Sequence, residues 1–345
     1  MILLCGASVT AQTPGVEDAL NLTRQGQYRR AVEQFSAVLT SPVVRDDVEV
    51  HAFVLSQMAG AYIQMGEYAQ AEARTQGAIK ILRSAQMTES GTFAVVEGVV
   101  ADLLRTKGDY DEAGRIAEQA LALGKRTLPP ASARLGILYT TLAGISQDRG
   151  DFKRSLDLCQ HAAQIFAEAG PASKIELGSA YQNLAVAYAH RGKPHKALDM
   201  TSLALSTWKE VLPPNHPFVV YALCTQVVAY NHLKAFQEAE AIIPEMLRLM
   251  DADPNISQPE RIVILNNTAA VYAAEKKYEN AETMLRTAVA TGRQHLPSGH
   301  PLVRGTFLNY SHVLEKLNRE QDAARYRAEA DVLLAFPKKP DLGPR

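Results

Sequence analysis

The sequence predicts an all-α solenoid: about eight helical hairpins stacked in a right-handed superhelix. Three observations predict it. First, the phrase Gly-x-Tyr/Phe-x-x-Ala returns at a nearly constant interval, 40 residues once and 42 thereafter, and a fixed period in this range marks a repeat array. Second, apolar residues around each copy recur at helical spacing. Third, small residues stand in register from unit to unit, opposite columns of large ones.

The units follow in order. The first three turn on Gly26-Gln27-Tyr28, Gly66-Glu67-Tyr68 and Gly108-Asp109-Tyr110, each with Ala three residues after the aromatic, at Ala31, Ala71 and Ala113. The fourth reads Gly150-Asp151-Phe152 with Ser155, and the fifth Gly192-Lys193-Pro194 with Ala197. The last three are degenerate: Lys234-Ala235-Phe236, Lys276-Lys277-Tyr278 and Asn318-Arg319-Glu320, followed by Ala239, Ala281 and Ala323. The fifth unit shows the physics of all. Tyr181, Leu184, Ala185 and Tyr188 fall at i, i+3, i+4 and i+7, one face of a first helix. Ala197, Leu198, Leu203, Ala204 and Leu205 mark a second. Gly192 lies between them, where a tight turn needs a positive φ. Seven residues before the turns stand Ala59, Ala101, Ala143, Ala185, Val227, Ala269 and Ser311; twelve after stand Ala78, Ala120, Ala162, Ala204, Met246, Ala288 and Ala330. Leu55, Tyr139, Tyr181, Leu223, Leu265 and Phe307 fill a complementary large column, which Glu97 interrupts. Small against large lets helices approach with few voids. A lone hairpin cannot bury its apolar face, so neighbours must stack into one continuous core.

These columns resemble the tetratricopeptide repeat, and the resemblance covers about residues 16–334. The usual unit is 34 residues; 42 is similar to the kinesin-light-chain-like subgroup. Leu212-Pro213-Pro214-Asn215-His216-Pro217 and Leu296-Pro297-Ser298-Gly299-His300-Pro301 resemble that subgroup's linker, with an eroded copy at Leu128-Pro129-Pro130. Gln182-Asn183-Leu184-Ala185 and Asn266-Asn267-Thr268-Ala269 resemble its first-helix phrase. Pro194 in the fifth turn, and Asn318 with Glu320 in the eighth, depart from the pattern; the eighth unit reads as worn or capping.

Composition fits a soluble folded chain: 345 residues, 47% hydrophobic, 21% charged. A formal net charge of -1 argues against general affinity for nucleic acid, which needs a basic excess. No apolar run reaches the roughly 18 residues of a membrane span. Residues 1–11 are apolar and small, and Val9-Thr10-Ala11 reads as the end of a truncated secretory signal cleaved after Ala11. That implies export to a periplasmic or secreted location; a frayed N-terminus on a cytoplasmic protein is the competing reading. Residues 335–345 are expected to form a disordered tail. Of the three cysteines, Cys5 would leave with the signal, and Cys159 and Cys224 are expected as buried free thiols without metal-ligand spacing.

The chain carries no phosphate loop, no His-Glu-x-x-His and no nucleophile elbow, so no catalytic residue, metal or cofactor is assigned. His216 and His300 sit in linkers, where they cap or pack the next helix. His190 and His232 lie one repeat apart; stacked helices roughly 10 Å apart hold them too far apart to share a metal, and a solvated groove edge suits them better. Asp109, Asp111 and Glu112 lie at a helix start, where they offset its dipole. Trp208 is expected in inter-repeat packing.

The resemblance implies that first helices line a concave face. Counted from the turns, the inward positions include Ser179, Gln182, Val186 and His190, then Tyr221, Cys224, Val228, Asn231 and His232. Val263, Asn266 and Ala270 follow, then Leu308, His312 and Glu315. A neighbouring column holds Asn183, Asn267 and Asn309, with Gln57 earlier. Amides both donate and accept, which suits holding a peptide backbone; they serve equally to fix one helix against the next. The partner-binding candidates are therefore Gln182, Asn183, His190, Tyr221, Asn231, His232, Asn266, Asn267 and Asn309. The reading that follows is a non-enzymatic scaffold binding a protein or extended peptide. The competing readings are an accessory subunit of an enzyme complex, a peptide-responsive regulator, and a cryptic enzyme. No feature of the sequence selects an oligomeric state.

Overall fold

A computed structural model describes residues 15–335 apart from 213–215, 255 and 298. The segment 1–11 with Cys5, the tail 336–345, Pro213, Pro214 and Asn215 of one linker and Ser298 of the other lie outside the described residues. Among the described residues all regular structure is helical, and paired helices repeat eight times. The hairpins are α1 (Val16–Arg24) with α2 (Tyr28–Leu39), α4 (Val48–Gln64) with α5 (Tyr68–Ser84), and α6 (Gly91–Thr106) with α7 (Tyr110–Thr127). Next come α8 (Ala133–Asp148) with α9 (Phe152–Ala169), α10 (Lys174–His190) with α11 (Pro194–Lys209), and α12 (Pro217–Leu233) with α13 (Phe236–Ala252). The last are α14 (Gln258–Ala274) with α15 (Tyr278–His295) and α16 (Pro301–Lys316) with α17 (Glu320–Ala335). A short α3 (Pro42–Asp46) bridges the first two hairpins; it falls where the period drops to 40, and the repeat phrase does not announce it.

The turns form as the sequence requires, including the degenerate ones. Gly26, Gly66, Gly108, Gly150 and Gly192 all take positive φ, and Lys234, Lys276 and Asn318 follow at 56°, 64° and 58°. The register of small residues makes this conformation obligatory even where glycine is lost, at a cost of about 1–2 kcal/mol per residue. Pro194 stands at the first position of α11, where a missing N–H costs nothing.

The small columns are buried throughout: Ala59, Ala101, Ala143, Ala185 and Val227 in the first helices, Ala78, Ala120, Ala162, Ala204 and Met246 in the second. Glu97, in the large column, is half-buried, and burial raises its carboxyl pKa despite Arg115 and Arg83 nearby. Trp208 is 2% exposed, and its Nε1 donates to the Ile175 carbonyl at 3.0 Å. Gly178 makes room for it, since a Cβ there would stand 2.3 Å from Nε1.

The expected single continuous core is divided. A first apolar cluster runs from Val16 to Met58, a large one from Ala52 to Ala180 and another from Val220 to Ala330. At the fifth unit only small clusters around Trp208, Cys159 and Ala197 connect the two large ones. The cause is composition: α10 places Ser179 and Ala180 where α4 places Phe53 and Val54, α8 places Ile137 and Leu138, and α14 places Val263 and Ile264.

The two halves meet again across the superhelix. His216 caps α12, its Nδ1 accepting from Phe218 N–H, while its Nε2 bonds the Arg24 carbonyl, 192 residues earlier, at 3.0 Å. His300 repeats the arrangement on α16: Nδ1 accepts from Leu302 N–H, and Nε2 reaches the Thr106 carbonyl, 194 residues earlier, at 3.2 Å. Both histidines therefore cap the next helix, as expected, and also carry a contact that no short-range pattern shows. One superhelical turn takes about four and a half units, so units six to eight lie on units one to three along a seam.

Candidate functional site

Three consecutive first helices, α10, α12 and α14, wall a cavity of about 190 Å3. Val186, Ala189, Val228, Val263 and Ile264 give it a mainly apolar lining; Val263 is 39% exposed, unusual for a large aliphatic side chain. Gln182, His190, Tyr221, Cys224, Thr225, Glu260 and Asn267 complete it. Of the candidates read from the sequence, Gln182, His190, Tyr221 and Asn267 come together here. Asn183, Asn231, His232, Asn266 and Asn309 do not line this cavity.

The amides are engaged between repeats. Gln182 Nε2 donates to the Tyr221 carbonyl at 3.1 Å and to Thr225 Oγ1 at 2.6 Å, tying α10 to α12. The carbonyl can only accept, so this contact fixes which end of the amide faces α12 and leaves Oε1, buried, with no hydrogen-bond partner. Asn267 Nδ2 donates to Cys224 Sγ at 3.3 Å, tying α14 to α12. Asn266 Nδ2 donates to Thr306 Oγ1 at 2.8 Å, and Asn309 Nδ2 donates back to Asn266 Oδ1 at 2.9 Å, tying α14 to α16. Asn183 accepts through its main-chain carbonyl from Gln147 Nε2 at 2.9 Å. His190 and His232 stand exposed at the groove edge, and His190 stacks on Phe152 of the preceding unit with ring centroids 4.5 Å apart.

Glu260 was not singled out from the sequence, although Ser257-x-x-Glu260 is a legible capping box and the structure forms it. Its Oε2 accepts from Ser257 N–H at 3.2 Å, from Ser257 Oγ at 2.8 Å and from Tyr221 O–H. Burial, then the Glu260 charge, raises the Tyr221 phenol well above its usual range, so it stays a neutral donor. Burial pushes the Cys224 thiol up to about 11, against a small opposing effect of Asn267; a neutral thiol is a poor nucleophile. Among the described residues no group of three or more His, Cys, Asp or Glu could hold a metal, and no helix is long and apolar enough to cross a membrane.

Glu260 and Val263 also line a second cavity, of about 120 Å3, where the seam brings Tyr68, Arg105, Tyr110 and Asp148 of the first turn against His300 of the second. Arg105 donates to Asp102 and Asp148, each at 2.9 Å. Burial alone would lower its pKa, and the two carboxylates more than offset that, holding it charged.

Family models of the tetratricopeptide repeat match residues 99–131, 134–201 and 261–302. No curated protein matches the chain in sequence. Among solved structures, a Rap protein complexed with competence and sporulation factor is similar at 15% identity, over 83% of this chain and 79% of that one, with a TM-score of 0.63. Cut9–Hcn1, an APC/C hetero-tetramer, is similar at 12% identity over 96% of this chain and 55% of that one, with a TM-score of 0.64. NprR in complex with its cognate peptide NprX is similar at 16% identity over 69% and 66%, with a TM-score of 0.53. At such identities the likeness is one of fold. With these repeat matches and the eight stacked hairpins, the chain is a tetratricopeptide-repeat protein, whose 42-residue period and His-Pro linkers resemble those of the kinesin-light-chain-like subgroup.

Proposed function

We propose that this protein is a non-enzymatic interaction scaffold whose inner face at units five to seven holds an extended peptide segment of a partner. The observation that carries the reading is the cavity walled by α10, α12 and α14, apolar in its lining and bordered by amides. Apolar walls with a few placed polar groups are what a side-chain pocket requires. Among the described residues Glu260 is the one carboxylate in the lining, and no Lys or Arg lies there to offset it, so a strongly acidic ligand is disfavoured. Gln182 and Asn267 border the cavity with amide groups of the kind that hold a peptide backbone. Two proteins of similar fold, the Rap protein and NprR, were solved with competence and sporulation factor and with the cognate peptide NprX.

The test is a peptide selected on the full chain from a random display library, with affinity measured by calorimetry. Val228→Asp places a charge in the apolar lining and should weaken binding at least about tenfold, equivalent to roughly 1.4 kcal/mol. An affinity unchanged by Val228→Asp, and also by Val263→Asp, would remove the groove from the account.

A further inference from the structure

The His-Pro linkers do more than start helices. In each, a neutral imidazole uses both nitrogens: Nδ1 accepts a helix N-terminal N–H, and Nε2 donates to a carbonyl in the preceding superhelical turn. The docking surface beneath is shaped to match. Gly26 lies 3.8 Å, measured from an added Cβ, from both His216 and Pro217, an ordinary packing distance. Gly108 is tighter, its added Cβ falling 2.7 Å from Pro301 and 3.1 Å from His300. The turns at Gly66, Gly150 and Gly192 have nothing within 4 Å of such an atom. The contacts thus occur where a His-Pro linker lies one superhelical turn above a glycine, and the eroded linker at Leu128, in the first turn of the superhelix, carries no histidine. We propose that His216 and His300 are acid-labile clasps that hold the second superhelical turn on the first, so that protonation opens the seam and widens the groove at unit five.

The chemistry follows from hydrogen count. An imidazolium has two N–H groups and no acceptor. Protonation therefore turns Nδ1 against the N–H of Phe218 or Leu302 and adds a positive charge at a helix N-terminus, where the dipole disfavours it. The groups facing each ring are few. His216 meets Arg24, whose carbonyl accepts from Nε2 and favours protonation and whose guanidinium pairs with Glu17, and it feels Asp253, which also favours protonation. Tyr28, beside the same seam, is held neutral by burial and by the charges of Glu260 and Asp253. His300 bonds the Thr106 carbonyl and faces Asp148, both of which favour protonation, and Arg105, which opposes it and is itself paired to Asp102 and Asp148. Burial outweighs these charges at both rings: it brings His216 down to about 4 and lowers His300. The sign is then fixed. The closed form favours neutral histidine and the open form restores the ordinary value near 6.5, so closure is complete above about pH 6.5 and weakens as pH falls. At pH 5 His216 alone shifts the balance toward the open form about thirtyfold. We place the joint that yields at unit five, where small apolar clusters link the two large ones.

The experiment is small-angle scattering on the full chain from pH 7.5 to 4.5, with far-UV circular dichroism on the same samples. The wild type should expand as pH falls while keeping its helix content. His216→Asn with His300→Asn keeps an N-cap acceptor but shortens the reach, so this variant should be expanded at pH 7.5 and insensitive to pH. Hydrogen exchange on the wild type needs no variant: after correction for intrinsic rates, the amides of Phe218 and Leu302 should lose protection at pH 5 while those of α6 keep it. A constant radius with intact helices, an equal pH response in the double variant, loss of helix together with expansion, or unchanged protection at Phe218 and Leu302 would each overturn the proposal.

Discussion

Trp208 shows how single residues set the joints of this array. It is buried between α10 and α12, donates to Ile175, and lies at 4.9 Å from the Phe218 ring. Its room is provided by Gly178. Gly178→Ala should overpack this site and destabilise the chain by about 1–3 kcal/mol, measured by urea unfolding; a stability within 0.5 kcal/mol of wild type, as an order of magnitude for neutral changes, would show that the indole moves freely. The amide column makes a second test at this scale. Asn266 bonds α16 directly and accepts from Asn309, so Asn309→Ala should cost about 0.5–1.5 kcal/mol of stability. If Asn309 grips a ligand instead, affinity for the selected peptide falls while stability holds. These amides were legible in the sequence because the 42-residue register places Gln182 and Asn266 in one column and Asn183, Asn267 and Asn309 in the next. What each amide bonds was not legible, because its partner lies in the adjacent repeat. Glu260 was visible as a capping residue only. Its place in both cavities depends on Tyr221, 39 residues away, and on the seam.

At the scale of the element, the turn is the unit of design. A loop of two or three residues with one left-handed position sets the angle between paired helices, and the following aromatic closes it. That pattern was legible wherever glycine and aromatic survive, and the structure extends it to Lys234, Lys276 and Asn318, whose positive φ is imposed by the packing of their neighbours. Replacing Lys276, at φ 64°, by glycine relieves that strain and should stabilise the chain by about 1 kcal/mol, seen as a higher urea midpoint. Gly108→Ala should do the reverse, and more strongly, because it combines a left-handed backbone with the Pro301 contact at 2.7 Å; a loss of about 1–3 kcal/mol is expected. Had Gly108 only a local role, Gly150→Ala, with φ 80° and no neighbour within 4 Å, would cost as much. The comparison isolates the seam. Salt bridges between successive second helices, such as Arg154 with Glu118 and Arg293 with Glu329, recur along the outer face; being exposed, each contributes little.

The whole molecule is a superhelix wound tightly enough to touch itself, and this was the part least legible in the sequence. Nearest-neighbour packing is written in every repeat. Pitch is the sum of many small rotations, so contacts 192 and 194 residues apart leave only indirect traces, here the retained His-Pro at two linkers and its loss at a third. The divided core has a similar origin, in the small and polar residues of one unit. Both features bear on binding, because the groove of units five to seven lies beside the joint and shares Glu260 and Val263 with the seam cavity. The most direct test of the groove is hydrogen exchange on the full chain with and without a library-selected peptide. The account predicts added protection in α10, α12 and α14, lost with Val228→Asp. Protection confined to the outer helices α11, α13 and α15, or to neither set, would contradict it.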